Sequence, residues 1–483
     1  MSVSSVVSPR IIQGGMGIGI SDWHLAREVS RLGHLGVISG TGIDVVIPRR
    51  LQLGDIGGHI RRALSNFPIP EIADKVIKKY FRPEGRSLNL TFRQVPQLRI
   101  DSTDELVELS VCANFAEVWL AKEGHNGVVG VNYLEKIQMA HLSSLYGAML
   151  AGVDFVLMGA GIPIQIAAVI DKLAAHEPAA YRIAVEGQTA DKEHWVTFDP
   201  KCIIAEPTAP LKRPNFLPIV SSATLAEMLV TRSGGAVNGL IVEGHIAGGH
   251  NAPPRGKLKL NETQEPIYGE RDEADLVKIK ELGLPFWLAG GFASPEKIEE
   301  AISYGAAGVQ IGSIFALSKE SGLRPDFKKE IIRQAFAGVE EVRTDPYASP
   351  SGFPFKVVTL PETLATPEIY ETRPRICDVT RLRRPYVKPN GAVGYRCPAE
   401  PITAYVEKGG KEEDTYQKKC LCNALLAGVG LDQVHKDGFR EPPIVTLGRD
   451  LSFLPHMITG PDEAYTAEDV INYLTGKRPS LLA

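Results

Sequence analysis

The chain has 483 residues, with 53 Lys and Arg against 57 Asp and Glu and a net charge of −4. That near balance argues against a nucleic-acid binder working by bulk charge, and 44% core-forming residues suffice for a sizeable core. Six Cys are too sparse for a disulfide scaffold, and with no legible secretory leader or membrane span the expectation is a soluble, cytoplasmic protein without nucleic-acid or membrane partners.

In chain order, eight short apolar runs end in Gly-containing or polar turns: Arg10–Gln13, His34–Ser39, Gly127–Asn132, Asp154–Met158, Leu217–Ser221, Gly239–Glu243, Pro285–Ala289 and Gly308–Gly312. None alternates cleanly, which marks strands buried on both faces. Helical stretches lie between them. Ser222 to Thr231 bridges two runs, and Ser294-Pro295 reads as an N-cap followed by Pro at the first helical position. Strand–helix alternation repeated eight times predicts a (β/α)8 TIM barrel over residues 1–340, with a doubly wound sheet as the alternative.

Three insertions interrupt the barrel. Residues 41–125 carry helical segments at Asp55–Ser65 and Ile72–Phe81. Residues 182–204 read as a β-hairpin, and residues 251–271 as a polar flap. Residues 341–483 form a C-terminal extension richer in Pro, Arg and Tyr, with an Asn390-Gly391 hairpin signal.

In such a barrel the C-terminal strand ends line the active site. Those ends are Gln13-Gly14-Gly15-Met16, Asn132, Gly159-Ala160-Gly161, Ser221-Ser222, Glu243-Gly244, Gly290-Gly291 and Gln310-Ile311-Gly312-Ser313. Gly pairs after strands seven and eight let backbone N–H groups approach an anion, and Ser313 adds a donor. After the sixth strand comes Glu243-Gly244-His245-Ile246-Ala247-Gly248-Gly249-His250. Its glycines bring backbone close to a planar ligand, and His250 can act as base, acid or stabiliser. A His245–His250 metal site is weaker, for want of a third ligand.

Taken in order over residues 10–320, Gln13 to Met16, Gly130-Val131-Asn132, Gly159 to Gly161, Glu243 to His250, Ala289 to Phe292 and Val309 to Ser313 resemble the nitronate monooxygenase (2-nitropropane dioxygenase) family. That grouping includes the related FMN-dependent enoyl reductases of fatty acid and polyketide synthesis. The resemblance implies an FMN-binding TIM barrel. Gly14, Gly15 and Met16 are expected along the ring system, with Asn132, Glu243, Gly248, Gly249, Gly290 and Gly291 around it. Gln310, Gly312 and Ser313 are expected at the phosphate, with His250 as the catalytic residue. Two activities follow: oxidation of alkyl nitronates with molecular oxygen, or NAD(P)H-dependent reduction of the double bond of enoyl thioesters borne on a carrier such as an acyl carrier protein. A non-catalytic flavin-binding scaffold is the third reading. The departures are Glu243, where nitronate-active members often carry Gln, and the long polar segment after His250.

Cys377, Cys397, Cys420 and Cys422 lie in the extension. Cys420 and Cys422 share a face if that segment is extended. Zinc or an iron–sulfur cluster, a disulfide, and unligated buried thiols are the three readings. The basic stretch Arg373–Lys388 reads as a solvated hairpin or as a docking face for an acidic carrier protein.

Overall fold

The computed structural model describes residues 8–87, 89–477 and 481. Eight parallel strands close into a barrel: β1 (Ile11–Gln13), β2 (Leu35–Ser39), β3 (Val129–Leu134), β4 (Phe155–Gly159), β5 (Asn215–Val220), β6 (Leu240–Glu243), β7 (Phe286–Ala289) and β8 (Gly308–Ile311). Each strand pairs with its sequence neighbours, and β8 returns to β1 with Gln310 beside Ile12. All eight predicted runs are therefore strands, and the doubly wound alternative is excluded by closure. Ile12, Leu35, Val37, Phe155, Leu157, Leu217, Ile241 and Trp287 fill the interior as a packed core.

The helices follow the local signals. Ser294 caps Pro295–Ser303 by accepting from the Lys297 amide, and Ser222 caps Ala223–Arg232 by accepting from the Leu225 amide. The insertion after β2 contains the predicted helical segments, as His59–Leu64 and Pro70–Tyr80. It ends in a helix the sequence reading does not resolve, Asp104–Lys122, buried over most of its surface. That helix packs on His141–Leu150, where a Cβ at Gly147 would sit 2.2 Å from the Val111 carbonyl oxygen; only glycine permits that approach. The second predicted insertion is the antiparallel pair Ala179–Ile183 with His194–Phe198.

Beyond the helix Pro325–Ala337, the extension runs back over the C-terminal face of the barrel. Val342–Asp345 pairs antiparallel with Phe355–Val358. That second strand joins the loop after β6, where the Lys356 amide donates to the Gly249 carbonyl at 2.9 Å. The Asn390-Gly391 turn connects Arg384–Val387 to Val393–Arg396, as its sequence predicts. Buried ion pairs fasten the extension: Arg381–Asp44 at 2.9 Å, Arg373–Glu441 at 2.7 Å and Lys419–Asp345 at 2.9 Å. Among the described residues no helix is long and apolar enough to cross a membrane.

Candidate active site

Two cavities meet over the C-terminal ends of the strands. The first, about 130 Å³, is lined by Gly14, Gly15, Met16, Gly290, Gly291, Gln310, Gly312 and Ser313, and by Leu447 and Gly448 of the extension. The second, about 140 Å³, is lined by Asn132, Tyr133, Leu134, Ile137, His250, Phe355, Leu382, Leu421, Cys422 and Leu425. Gly15, Glu243, Gly248 and Gly249 line both. The structure thus brings every predicted flavin-contacting residue and His250 to one place.

The first cavity is a backbone-walled cradle. Gly290 and Gly291 hold positive φ angles of 97° and 78°, a region disfavoured for side chains with a Cβ. A Cβ on Gly15 would lie 2.6 Å from the Asn132 Cβ. Asn132 donates to the Gly15 carbonyl at 3.4 Å, while its Oδ1 and the Oε1 of Gln310 are buried without a hydrogen-bond partner. Buried acceptors left open beside a glycine wall fit a planar ligand carrying its own N–H donors. Ser313 and the nearby backbone fit its phosphate end. These residues therefore suit FMN.

Around the second cavity the electrostatics are set by burial. His250 is pressed edge-on to Phe355 at 4.9 Å between ring centres, and its Nε2 meets the Ser349 hydroxyl at 2.8 Å. Desolvation lowers its pKa to about 4, so the ring is neutral at pH 7. Burial pushes Glu243 up to about 8, against the pull of Lys356. Lys356 is itself lowered to about 8 by burial, and its Nζ donates to Thr344. Glu243 is thus protonated near neutrality and able to donate a hydrogen bond, as a carboxylate cannot.

Sequence reasoning missed the far wall. Phe355, Leu382, Leu421, Leu425, Thr446, Leu447 and Gly448 all come from the extension. The Thr446 hydroxyl accepts from the Gly249 amide at 2.9 Å. One signal was present: the apolar run Ile444-Val445-Thr446-Leu447 ends in Gly448, like the barrel strands. The polar segment 251–271 lies beside the site with little regular structure, and its Tyr268 stacks on His245 at 4.4 Å.

The cysteine expectation needs correction. Cys377, Cys397, Cys420 and Cys422 gather in one buried region, but all are free thiols. Among the described residues no group of three or more His, Cys, Asp or Glu is placed to hold a metal, so neither zinc nor an iron–sulfur cluster finds a site there. The reason is local. Cys420 caps the helix Leu421–Ala427 and Cys422 sits in its first turn, where residues two apart diverge. Cys422 faces the second cavity instead, its thiol pushed up to about 12 by burial. Only Cys377 is lowered, to about 7, by the Cys397 thiol it bonds and then by Arg383.

Comparison with known proteins gives partial matches. Residues 165–346 match the model of the nitronate monooxygenase family. A dehydrogenase of Mycobacterium tuberculosis acting on a hydroxy-methyl-oxo-octahydroindene carboxyl-CoA is 29% identical over 120 residues, spanning 25% of this chain and 29% of that protein. FabK from Thermotoga maritima superposes with a TM-score of 0.47 at 17% identity, over 98% of this chain and 93% of that one. A nitroalkane oxidase from Streptomyces ansochromogenes gives 0.46 at 12% identity, over 99% and 97%.

Proposed function

We propose that this chain, whose residues 165–346 match the nitronate monooxygenase family model, is an FMN-dependent oxidoreductase that reduces the polarised double bond of an enoyl thioester at the expense of NAD(P)H. The observation that carries this reading is the shape and lining of the substrate space. Beside His250 the wall is apolar, with Leu134, Ile137, Leu382, Leu421 and Leu425. Ile137, Arg381 and Leu382 are shared with a neighbouring cavity of about 410 Å³, which also carries Lys136 (paired with Glu135), Arg383 (paired with Glu400) and Arg384, with Glu186 in its lining. An apolar pocket followed by a cationic chamber suits an acyl chain joined to a phosphate-bearing carrier. A small nitronate uses neither.

Bound FMN supplies the two-electron redox chemistry. The chain's own residues bind, orient and move protons. Asn132 and Gln310 present open acceptors to the ring system. Glu243, held neutral, donates a hydrogen bond without setting a negative charge against it. The extension excludes water with Phe355, Leu421 and Leu425. His250 would deliver a proton to the α-carbon of the bound thioester.

The family match favours a second reading, nitronate oxidation, in which His250 removes the proton from the carbon beside a nitro group. Anaerobic mixing of the yellow holoprotein separates the two. Rapid bleaching by NADPH, with colour restored by an enoyl thioester, is the expected result. Bleaching by an alkyl nitronate and not by NADPH would overturn the reductase reading. FMN retention with neither response would leave the non-catalytic scaffold.

A further inference from the structure

His250 poses a problem of proton supply. A neutral imidazole carries one N–H. Having given that proton to a substrate, the ring must be refilled, and its Nε2 is hydrogen-bonded to the Ser349 hydroxyl. The Ser349 hydroxyl is fully buried. It lies 2.8 Å from His250 Nε2 on one side and 2.7 Å from the Ser351 hydroxyl on the other. Ser351 in turn lines the cationic cavity. The two hydroxyls are held in register by their own backbone. The Ser351 amide donates to Ser349 Oγ at 3.1 Å. Lys418 binds the Ser349 carbonyl at 3.1 Å, and Arg384 binds the Pro350 carbonyl at 3.1 Å. These cations on main-chain carbonyls hold the backbone of the turn that carries both hydroxyls.

We propose that Ser349 and Ser351 are a two-hydroxyl proton relay connecting His250 to water in the cavity lined by Lys136, Arg383 and Arg384. The proposal rests on the assignment of His250 as the proton-transfer group. In the transfer, a C–H bond forms on the substrate as His250 Nδ1–H breaks. Nε2 takes the Ser349 hydroxyl proton, Ser349 takes that of Ser351, and Ser351 takes one from a cavity water, leaving hydroxide to exchange with bulk. The ring ends as the other tautomer. After product leaves, a water entering the vacated space gives Nδ1 a proton while the Nε2 proton returns along the same hydroxyls to cavity water, and the hydroxide left in the vacated space departs with solvent. The relay keeps the ring neutral during the transfer, and the proton consumed comes from that water. No oxidant or further reactant is needed. Ser349 and Ser351 are positioning residues that act through His250, and the same chain carries a proton outward if the substrate is deprotonated instead.

The relay can be read without turnover. In the FMN holoprotein, exchange of the His250 ring proton with water is followed by nitrogen-resolved NMR. Ser351→Ala, which keeps the His250–Ser349 contact but cuts it from the cavity, should slow that exchange at least tenfold, and Ser349→Ala should do the same. Ser349→Thr should restore it. For turnover, with NADPH and a crotonyl thioester as the probe, Ser349→Ala should lower kcat about tenfold or more with a larger solvent isotope effect. KM, flavin content and the rate of flavin reduction by NADPH should stay within twofold. Unchanged ring-proton exchange in both alanine variants overturns the relay. A wild-type protein that ignores the thioester but shows relay-dependent exchange overturns the reductase reading and leaves the relay standing.

Discussion

Replacing Glu243 by Gln isolates a single buried proton. Glu243 titrates near 8 in the folded chain against 4.5 as a free side chain. Between those values the folded state holds a proton that the unfolded state has lost, so stability falls as pH rises through that window. Two neighbours act with the opposite sign. His250, lowered from 6.5 to about 4, makes stability rise between those values. Lys356, lowered from 10.5 to about 8, makes it rise above 8. The Glu243 effect therefore stands clear between pH 6.5 and 8. At about 1.4 kcal/mol per pH unit, that interval is worth about 2 kcal/mol, and about half as much if cavity water screens the carboxylate. Equilibrium urea unfolding of flavin-stripped wild type and Glu243→Gln, in the same buffers, cancels the groups common to both. The wild type should lose about 1 to 2 kcal/mol relative to the variant between pH 6.5 and 8. A protonated-carboxyl band in the infrared difference spectrum should fade over the same interval. Parallel stability curves with no such band would show that Glu243 is ionised at neutrality, refuting the desolvation argument.

Other outcomes follow from the same geometry. Gly312→Asp sets a carboxylate in the cradle beside Met16 and should abolish flavin retention in a folded protein, read from the absorbance spectrum after gel filtration. Gly15→Ala forces a methyl against Asn132 and should weaken FMN at least tenfold by fluorescence titration; unaltered affinity would remove Asn132 from the cofactor wall. His250→Ala should stay yellow while turnover drops on the order of 10²-fold or more. Asp44→Asn strips Arg381 of its buried partner and should cost about 3–5 kcal/mol, measured by denaturant unfolding, with proteolysis starting in the extension.

What was legible in the sequence has a physical pattern. Strands buried on both faces are written as unbroken apolar runs, and a Gly at the end of such a run is readable because backbone must turn and approach a ligand there. That gave the barrel and the cradle. The helix Asp104–Lys122 was lost inside an apparent insertion because, enclosed on most sides, it shows no polar stripe for a period to reveal. Cys420 and Cys422 look aligned if their segment is extended, but the helix that starts at Leu421 turns them to different faces. The far wall of the site was hidden for a different reason. Thr446 reaches the Gly249 amide across 197 positions, and no local pattern encodes so distant a partner.

The division of the site between barrel and extension has a consequence for how such a protein can change. The barrel contributes most of the glycines and the open acceptors, and a Cβ at Gly15 or Gly248 would collide with its neighbours. Leu382, Leu421 and Leu425 come from the extension and line the second cavity, whereas Thr446, Leu447 and Gly448 of the same extension line the cradle. Substitutions at the three leucines would alter how long or branched a guest is admitted without changing a cradle residue. A library confined to those three leucines therefore varies the guest space while the glycines and the open Asn132 and Gln310 oxygens of the cradle keep their sequence.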